Sequence, residues 1–503
     1  MRNLDTPVKQ IRRKIFTEIA KIGFESTDES MIHDIESIPY NIVEERAKYR
    51  ESIYRERAVA SERVRLAMGL SLRPENRSVH LTDGVKASNI DEKYYEPPLM
   101  QVIPSACSAC ESNKYEVSNM CRGCVAHPCL LTCPKGAISM VNGKSFIDQD
   151  KCIHCGRCKA VCPYDAIAHK ERPCERACGV KAIESDEQGR ASINQDKCVS
   201  CGMCMVSCPF GAISDKSQIF QLSHALREGT EIIAEIAPAY INQFGEDITP
   251  GQFRSALKQL GFSNIYEVAL GADIGCISEA HHYAKEVATG HLPFLLITSC
   301  CPSWSVMAKK YFPAMIDNIS QELTPMVATA RIVKKEHPHA KVVFIGPCAS
   351  KKLEAMRHSV RSDVDFVITF EELWGLFDAK SITPSTCEEL PEETQAATAA
   401  GRGYAIAGGV AGAIENCLKE YYPDVPVHIE HAESLAECKK VLTLAKAGKI
   451  KNCMIEGMAC PGGCIGGAGT NAGFAKTSKA LKKYVDSSEP KLPSQELENL
   501  ELN

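Results

Sequence analysis

Cysteine is the residue type in this sequence with the greatest capacity for chemistry. The chain of 503 residues contains 26 cysteines, sixteen between Cys107 and Cys208 and ten from Cys276 to Cys464. A disulfide framework is not expected, because the N-terminal segment lacks the apolar core of a secretion signal and a reducing compartment keeps thiols free. Thiolates are also the ligands that soft metal centres select. The sequence therefore predicts metal or cluster binding in two separate regions.

An internal repeat organises the first of these regions. Its four copies begin at Cys121, Cys152, Cys174 and Cys198, and each ends with a cysteine, a short loop and Ala-Ile. The second and fourth copies contain C-x2-C-x2-C-x3-C-P, in which three thiolates bind one 4Fe–4S cube and the last cysteine binds a different cube. Structural zinc has no need of that fourth cysteine. Several cubes in one small domain indicate an electron relay.

The pairing of these cysteines into cubes is left open by the sequence. In the simplest pairing, Cys208 joins the first three thiols of the second repeat, and Cys162 joins those of the fourth. The third repeat lacks its own C-x2-C, which Cys107 and Cys110 could supply. Eight cysteines remain in this pairing, enough for two more cubes: Cys107, Cys110, Cys121, Cys124, Cys129, Cys133, Cys174 and Cys178.

The layout of the repeats also resembles the four-cluster ferredoxin subunits of molybdenum oxidoreductases. There the first and fourth repeats exchange their last cysteines, and so do the second and third. We expect two to four accessory 4Fe–4S clusters, with four favoured because that number uses all sixteen cysteines. The resemblance implies four ligand sets: Cys121, Cys124, Cys129 and Cys208; Cys198, Cys201, Cys204 and Cys133; Cys152, Cys155, Cys158 and Cys178; and Cys107, Cys110, Cys174 and Cys162.

The remaining sequence predicts a helical segment before the repeats and an α/β region after them. Residues 1–98 contain charged stretches, at 8–23 and 40–70, with apolar residues at helical spacing. Residues 99–215 hold the repeats. In residues 216–503, apolar runs alternate with helical patterns, which predicts parallel strands, and the polar tail after about residue 487 is expected to be loosely held. The strand-like runs are 232–241, 294–300, 341–348 and 365–373.

Three segments of the α/β region place further cysteines beside small residues: Thr298–Trp304 (TSCCPSW), Gly346–Glu354 (GPCASKKLE) and Glu456–Gly469 (EGMACPGGCIGGAG). Four thiolates suit one cube, and neighbouring glycines let the backbone approach a bulky cofactor. Adjacent cysteines cannot easily serve one metal in the same way, so Cys300 is free for another role. The four-thiolate set is Cys301, Cys348, Cys460 and Cys464.

Together these three segments closely resemble the signature segments of FeFe hydrogenases, over about residues 216 to 485. The resemblance implies a multidomain α+β and α/β protein, in which a ferredoxin-like iron–sulfur domain precedes an H-cluster domain of two α/β lobes. The H-cluster is a 4Fe–4S cube joined through a cysteine to a two-iron subcluster with CO, cyanide and azadithiolate ligands. By motif position, Cys464 would bridge the two parts.

The resemblance also implies roles for residues that do not bind the cube. Lys351 would donate a hydrogen bond to a cyanide ligand, and Met458, Ala237 and Pro238 would line the two-iron pocket. Cys300 would move protons, as a thiol whose ordinary pKa of about 8.5 lies near working pH. Glu279 and Ser320 would continue that route.

Four residues depart from the pattern of the best-known FeFe hydrogenases. Those enzymes carry a glutamate and an arginine beyond the relay glutamate, where this chain has His282 and Glu286. His282 could substitute, since histidine relays protons near neutral pH, or it could be a surface residue. Gly346 stands in place of a methionine and Met326 in place of a glutamine. These departures indicate a divergent branch, such as the group B enzymes.

The resulting hypothesis is a cytoplasmic FeFe hydrogenase that catalyses 2H⁺ + 2e⁻ ⇌ H2. Its partners would be a ferredoxin-like electron carrier, H2 and protons, and maturation proteins for the two-iron subcluster. A net charge of −5 gives no indication of nucleic-acid binding or an anionic membrane surface, and no apolar run approaches the roughly 18 residues of a membrane span.

Two alternatives are a hydrogen sensor and a relative that carries iron–sulfur clusters for assembly or electron transfer. Sensors usually lack the proton-relay cysteine, which is present here as Cys300, and the assembly relatives lack the lysine segment that contains Lys351. The remaining cysteines have no ligand spacing and are expected to be small buried apolar residues: Cys276, Cys387, Cys417, Cys438 and Cys453.

Overall fold

The computed structural model describes residues 5–27, 29–391 and 397–499. The N-terminal region is helical, as predicted. Its first helix begins where Thr6 Oγ1 accepts a hydrogen bond from Lys9 N and Pro7 occupies the first helical position. The helices are α1 (Pro7–Glu25), α2 (Met31–Ile42), α3 (Ile53–Ala67) and α4 (Val85–Ser88).

The repeat region folds into two small units of short antiparallel strands. In the first unit β2 pairs with β5 and β3 with β4; in the second β1 pairs with β8 and β6 with β7. Repeats one and two form the first unit, and repeats three and four form the second. The elements are β1 (Met100–Val102), β2 (Lys114–Val117), α5 (Pro128–Leu131), β3 (Ile138–Val141), β4 (Lys144–Ile147), α6 (Arg157–Ala160), β5 (Ile167–Lys170), α7 (Pro173–Arg176), β6 (Ile183–Ser185), β7 (Ala191–Ile193), α8 (Met203–Ser207) and β8 (Ile213–Asp215).

The α/β region contains two parallel sheets, which confirms the predicted strand direction. One has the order β10-β9-β12-β13 and the other β11-β15-β14. Because parallel strands end at the same edge of a sheet, the loops that follow them gather there. The strands are β9 (Ile232–Ile236), β10 (Asn264–Glu267), β11 (Phe294–Leu296), β12 (Lys341–Gly346), β13 (Phe366–Thr369), β14 (Ile429–Glu433) and β15 (Cys453–Met458).

Helices connect these strands. The third of them, α11, continues into one π-helical turn, Tyr283–Val287. Across the described residues, no helix combines the length and apolar character needed to cross a membrane. The helices are α9 (Ile219–Arg227), α10 (Pro250–Leu260), α11 (Ala269–His282), α12 (Pro302–Tyr311), α13 (Pro325–Glu336), α14 (Lys351–Glu354), α15 (Phe370–Ala379), α16 (Ala399–Gly403), α17 (Gly409–Tyr421), α18 (Leu435–Lys446) and α19 (Phe474–Ser487).

A buried ionic network joins the N-terminal helix, the second unit and the α/β region. Arg12 of α1 donates to Glu371 Oε1 at 2.9 Å and to Asp215 Oδ1 at 3.2 Å. Lys352 donates to Asp215 Oδ2 at 2.7 Å and to Glu372 Oε1 at 2.8 Å. Since every member is buried, each charge depends on its partners. The N-terminal segment is thus part of the core architecture.

Residues 43–52 are irregular, contrary to the helical pattern of residues 40–70. Side chains satisfy the backbone of this loop: Arg57 donates to Val43 O at 3.0 Å, and Glu56 accepts from Lys48 N at 2.9 Å. Ser52 then caps α3. These local bonds offer the backbone an alternative to the helix.

The expectation of a loosely held tail after residue 487 is wrong for its first residues. Arg402 Nη1 donates to the buried Ser488 at 2.9 Å, and Ala399 N donates to Pro490 O at 3.0 Å. Tyr421 donates to Pro493 O at 2.6 Å. Backbone carbonyls of the tail accept hydrogen bonds from the first amides of α16. Local composition could not reveal these contacts, because they join distant segments of the chain.

The variant Arg12→Met should lower the free energy of unfolding by about 3 kcal/mol, because it takes a guanidinium away from two buried carboxylates. Urea-induced unfolding followed by circular dichroism measures this change. Arg13→Met is the matched control, since Arg13 pairs with Asp378 at a partly exposed position and should cost less than about 1 kcal/mol. Equal losses in the two variants would contradict a structural role for the buried network.

Candidate functional site

The ends of four parallel strands meet around one cavity of about 90 Å³. The segment after β9 supplies Ala237 and Pro238, and the loop after β11 supplies Cys300 and Cys301. The loop after β12 supplies Cys348 and Lys351, and the loop after β15 supplies Met458, Cys460 and Cys464. The two sheets therefore bring together all the residues that the sequence pattern assigns to a cofactor pocket.

The four thiols of the predicted set line this cavity. Each of these cysteines is therefore only partly covered by other protein atoms. Burial raises the pKa of Cys348 to about 11 and that of Cys464 to about 12. Thiols this far from water do not ionise by themselves at neutral pH. They become thiolates when a cationic metal centre replaces their protons. Four convergent thiols with no competing ligand type suit a cube of iron and sulfide.

Among the described residues, Lys351 is the one cationic side chain that lines the cavity. Its Nζ forms an ion pair with Glu354 Oε2 at 2.7 Å. Burial by itself lowers the pKa of Lys351, but the negative charge of Glu354 outweighs that effect and raises it. The ammonium group therefore stays charged and keeps donors free for an anionic ligand in the cavity.

Cys300 lies beside the four-thiol set, with Cys301 and Cys464 among its neighbours. Burial raises its pKa well above the usual value, with Lys351 acting in the opposite direction. The pKa of Cys300 is therefore higher than the ordinary value of a thiol. The Cys300 side chain is a protonated thiol, which can hand over a proton and take one back.

Glu279 and Ser320 come together, with the Ser320 hydroxyl hydrogen-bonded to the Glu279 carboxyl. Burial raises the pKa of Glu279 to about 8, while the Ser320 hydroxyl lowers it and the charge of Glu322 raises it. Glu322 N donates to Ser320 Oγ at 3.3 Å, and Glu322 itself is half-buried. Ser320 therefore contacts both Glu279 and Glu322, and their part in a proton route stays a prediction.

The departures from the family pattern lie partly in the cavity wall. Met326 lines the cavity. A side chain at Gly346 would place its Cβ 2.5 Å from the Phe344 ring and 3.1 Å from Ala237 Cβ. The absence of a side chain at Gly346 therefore lets Phe344 and Ala237 pack closely in the cavity wall. His282 ends α11 and is half-buried, and its part in a proton route stays a prediction.

The second unit brings together cysteines of the third and fourth repeats. Burial raises the pKa of Cys174 to about 12, with nearby Cys208 and Cys107 adding to the rise, and Cys110 has the same two neighbours. Burial likewise raises the pKa of Cys204, with Cys201, Cys198 and Cys178 next to it. Two sets result: Cys107, Cys110, Cys174 and Cys208; and Cys178, Cys198, Cys201 and Cys204.

The first unit pairs the first two repeats. One small cavity is lined by Cys133 of the first repeat together with Cys152, Cys155 and Cys158 of the second. Cys129 and Cys162 pack on the same small apolar core, which leaves Cys162 with the other three thiols of the first repeat. Those thiols are Cys121, Cys124 and Cys129.

Both predicted pairings of the repeats are therefore wrong. Cys208 and Cys178 lie with thiols of the second unit, and Cys133 and Cys162 with thiols of the first. Repeats adjacent in the chain exchange their last cysteines because each unit is closed by antiparallel strands from neighbouring repeats, such as β2 with β5. The expectation that Cys107 and Cys110 replace the missing C-x2-C of the third repeat agrees with this arrangement.

The fourth repeat is fastened directly to the loops of the main cavity. Val199 O, between two cysteines of that repeat, accepts from Ser303 Oγ at 3.1 Å and from Ser350 Oγ at 3.3 Å. A Cβ at Gly202 would lie 2.5 Å from Ala468 Cβ, so glycine permits this close approach. Charge on Cys201 acts on Cys460. One accessory ligand set is thus next to the cavity.

A residue close to Lys351 gave no clear signal in the sequence. Glu235 is fully buried on β9, and neither of its carboxylate oxygens has a hydrogen-bond partner among the described residues. Burial raises its pKa well above the usual value, with Lys351 acting against that rise and Glu354 adding to it. A glutamate inside the apolar run at 232–241 is the signal that could have found it.

The cysteines without ligand spacing are buried, as predicted: Cys276, Cys387, Cys417, Cys438 and Cys453. Cys276 Sγ and Cys417 Sγ lie 3.0 Å apart as free thiols.

Two family models match the chain. The model for the C-terminal domain of the iron-only hydrogenase large subunit matches residues 230–468. The model for the 4Fe–4S binding domain matches residues 146–168 and 191–214. These matches show an H-cluster domain behind ferredoxin-like 4Fe–4S motifs, as the resemblance implied.

Curated relatives fall into two groups. Iron hydrogenase 1 of Clostridium pasteurianum is 28% identical over 389 residues, which cover 67% of this chain and 67% of that protein. The periplasmic Fe hydrogenase large subunit of Nitratidesulfovibrio vulgaris is 28% identical over 64% of this chain and 85% of its own length. The cytosolic Fe–S cluster assembly factor NAR1 of Debaryomyces hansenii is 30% identical over 182 residues, 33% of this chain and 32% of that protein.

Among solved structures, an FeFe-hydrogenase from Chlamydomonas reinhardtii matches with a TM-score of 0.43 and 21% identity, covering 53% of this chain and 86% of that one.

Each single Cys→Ser change within one ligand set should remove the same cluster signal from the electron paramagnetic resonance spectrum of the reduced protein. Cys208→Ser should therefore remove the signal that Cys107→Ser removes. Cys387→Ser, at a buried cysteine outside every set, should leave all signals unchanged. If Cys208→Ser instead removes the signal that depends on Cys121, the pairing seen in the structure is contradicted.

Proposed function

Because the chain is a divergent FeFe-hydrogenase-like protein with ferredoxin-like 4Fe–4S motifs, we propose that it interconverts H2 with protons and electrons at an H-cluster. The observation that carries this proposal is the cavity itself. It is lined by four thiols that could hold a cube, and also by a charged Lys351 and the Cys300 thiol, which the cube would not need.

The residues of the cavity have separate roles in holding the cofactor. Cys301, Cys348, Cys460 and Cys464 would bind the cube, and Cys464 would also hold the two-iron subcluster. Lys351 would donate to a cyanide ligand, and Met458, Ala237 and Pro238 would enclose that part. When bound, the cofactor supplies the redox-active iron at which protons and electrons combine to dihydrogen.

The proton route of the proposal begins at Cys300 and continues through Glu279 and Ser320. A glutamate with a pKa of about 8 is protonated at neutral pH and can donate. Beyond it, the contact between Ser320 and Glu322 N favours Glu322 as the outer acid. Glu322 is half-buried and carries a titratable group towards the surface, whereas the contribution of His282 is an additional hypothesis.

The electron route of the proposal runs through two to four accessory clusters, with four favoured because all sixteen cysteines of the repeats fall into sets of four. The set that contains Cys201 is next to the cavity, and Cys204 of that set has Cys174 of the next set as a neighbour. The clusters of the first unit would then receive electrons from an external electron carrier.

The surface of the first unit is suited to an electron carrier. Residues 118–165 contain six Lys or Arg and three Asp or Glu, although the whole chain has a net charge of −5. A basic rim around apolar side chains favours an acidic, ferredoxin-like partner. The exposed apolar side chains there are Met120, Val125, Leu131, Val141, Phe146, Ile153, Val161 and Tyr164.

A role in iron–sulfur cluster assembly is the second candidate, favoured by the 30% identity to an assembly factor. Such a role would use the thiol sets without any need for Cys300 or for free donors on Lys351. The two candidates therefore differ in whether the protein binds the two-iron subcluster and catalyses hydrogen turnover.

Infrared spectroscopy of protein matured with the two-iron subcluster should show CO and cyanide bands, because the cavity has the ligands and space for it. Cys300→Ala should retain these bands while turnover falls at least about 100-fold, and Cys387→Ala should retain both. Absence of the bands after maturation would remove the hydrogenase proposal and favour the assembly role. Near-normal turnover of Cys300→Ala would contradict the proton role of that thiol.

The rate of H2 evolution should fall as pH rises through about 8, because the buried Glu279 loses its proton there. Below that pH the Glu279 carboxyl is protonated and can supply protons to the route. Glu279→Gln should lower the rate and abolish this pH dependence, and the measurement is H2 evolution from reduced viologen across neutral and mildly alkaline pH. Glu286→Gln, at a half-buried position on the following turn, is the control and should keep the wild-type profile.

A further inference from the structure

The last cysteine of every repeat accepts a hydrogen bond from the backbone amide of the alanine four residues later. Hydrogen bonds to the sulfurs of an iron–sulfur cluster are one of the factors that set its reduction potential. Because all four repeats have this bond, it does not by itself distinguish one cluster from another. The sulfur acceptors are Cys133 at 3.3 Å from Ala137 N, Cys162 at 3.4 Å from Ala166 N, Cys178 at 3.1 Å from Ala182 N and Cys208 at 3.4 Å from Ala212 N.

The fourth repeat differs from the others on the far side of that amide. In a trans peptide group the carbonyl and the N–H point in opposite directions. The carbonyl of the same peptide group, Gly211 O, accepts a hydrogen bond from the guanidinium of Arg63 on α3. One peptide group therefore separates this guanidinium from Cys208 Sγ. Among the described residues, no arginine donates to the equivalent carbonyls of the other repeats, which belong to Gly136, Asp165 and Lys181.

A second buried arginine contacts the same ligand set. The Nε and Nη2 atoms of Arg172 donate to Cys110 O at 3.1 and 3.0 Å. The guanidinium also donates to Glu184 O at 3.1 Å and to Gly189 O at 2.9 Å. All of these acceptors are neutral backbone carbonyls. We refer to the set that these arginines adjoin, Cys107, Cys110, Cys174 and Cys208, as the Cys107 set.

The positive charges of these two arginines are not balanced by carboxylates. Arg63 is 6% and Arg172 3% exposed, and neither forms an ion pair with a carboxylate among the described residues. Glu371, whose charge reaches Arg63, is already bonded to an arginine of α1. A buried charge is unfavourable unless an opposite charge is close. Here the opposite charge would come from the ligand set, since Cys208 acts on Arg63, and Arg172 acts on Cys174.

The cations near the other accessory sets are exposed or already paired. In the first unit, all six Lys and Arg side chains between residues 118 and 165 are exposed. Beside the set that contains Cys201, Arg12 is bonded to two carboxylates, and Lys310, which donates to Cys198 O at 3.0 Å, is exposed. Solvent and salt screen exposed charges much more than buried ones. The Cys107 set is therefore the one with two buried and uncompensated cations among the described residues.

We propose that Arg63 and Arg172 give the cube of the Cys107 set the highest reduction potential of the accessory clusters. Reduction adds one electron, and hence one negative charge, to a set that its thiolates already make anionic. Two buried positive charges stabilise the reduced form more than the oxidised form. The electron comes from the external electron carrier. In the electron route of the proposed function, on which this consequence rests, electrons would collect at this cube between the first unit and the cavity.

A redox titration followed by electron paramagnetic resonance tests the order of potentials. The protein must carry its 4Fe–4S clusters, whereas the two-iron subcluster and hydrogen turnover are not required. As the potential is lowered, the first signal to appear should be the one that Cys107→Ser removes. Failure of the hydrogenase proposal would leave this result unchanged. If a signal that depends on Cys121 or Cys201 appears first, the proposed order is wrong.

Arg63→Met should lower the midpoint potential of that signal and leave the other signals in place, because it removes the charge while keeping most of the side-chain volume. Loss of one nearby charge should lower the equilibrium constant of reduction about tenfold, which corresponds to about 59 mV for one electron. Arg63→Lys keeps the charge and should cause a smaller shift. Arg172→Met should shift the same signal in the same direction, and it serves as the test if Arg63→Met does not load its clusters.

Arg65→Met is the matched control. Arg65 lies on the same helix, is 5% exposed, and also donates to backbone carbonyls, those of Ser71 at 2.7 Å and Leu81 at 2.8 Å. The charges that act on it most come from Glu62 and Glu96 and not from a cysteine, so all cluster potentials should stay as in the wild type. An equal shift in Arg65→Met, or unchanged potentials in Arg63→Met and Arg172→Met, would overturn the proposal.

Discussion

The convergence of parallel strand ends is the constraint on which the rest of this molecule depends. No single segment of the chain carries four thiols in a geometry that encloses a cube. The thiols come from the loops after β11, β12 and β15, and the segment after β9 closes the wall with Ala237 and Pro238. Because all of these strands run parallel within their sheets, their carboxyl ends lie at common edges. The two sheets meet along those edges, and the cavity is the space between them.

Exclusion of water then decides the protonation state of each group around the cavity. Burial keeps Cys300 a thiol, keeps Glu279 protonated at neutral pH and leaves Lys351 charged only because Glu354 lies beside it. In a region of low dielectric constant, a group is charged only when an opposite charge is close. The same effect makes the four ligand thiols dependent on a metal centre for their ionisation. One physical cause thus sets the protonation state of Cys300 and of the four-thiol set alike.

Several contacts hold the second unit of the repeat region close to the cavity. The carbonyl of Val199 accepts hydrogen bonds from the two loops that carry Cys301 and Cys348. Asp215, at the end of the second unit, is bound by Arg12 of the first helix and by Lys352 of the cavity loop. These bonds cross the boundaries between the N-terminal, iron–sulfur and α/β regions. The charged N-terminal helix therefore helps to hold the second unit against the α/β region.

The residues alone predicted the parallel sheets, the 4Fe–4S motifs and the cysteines that line the cavity, because cysteine spacing, glycine-rich loops and the alternation of strands and helices are local properties of the chain. The exchange of cysteines between neighbouring repeats was not local, since it depends on which strands close each small unit, and both predicted pairings were wrong for that reason. Burial was not readable either: the raised pKa values of Cys300 and Glu235 arise only when distant segments remove water from one another. Sequence spacing specifies which residues can bind a metal, whereas tertiary packing decides which of them meet and which protons they keep.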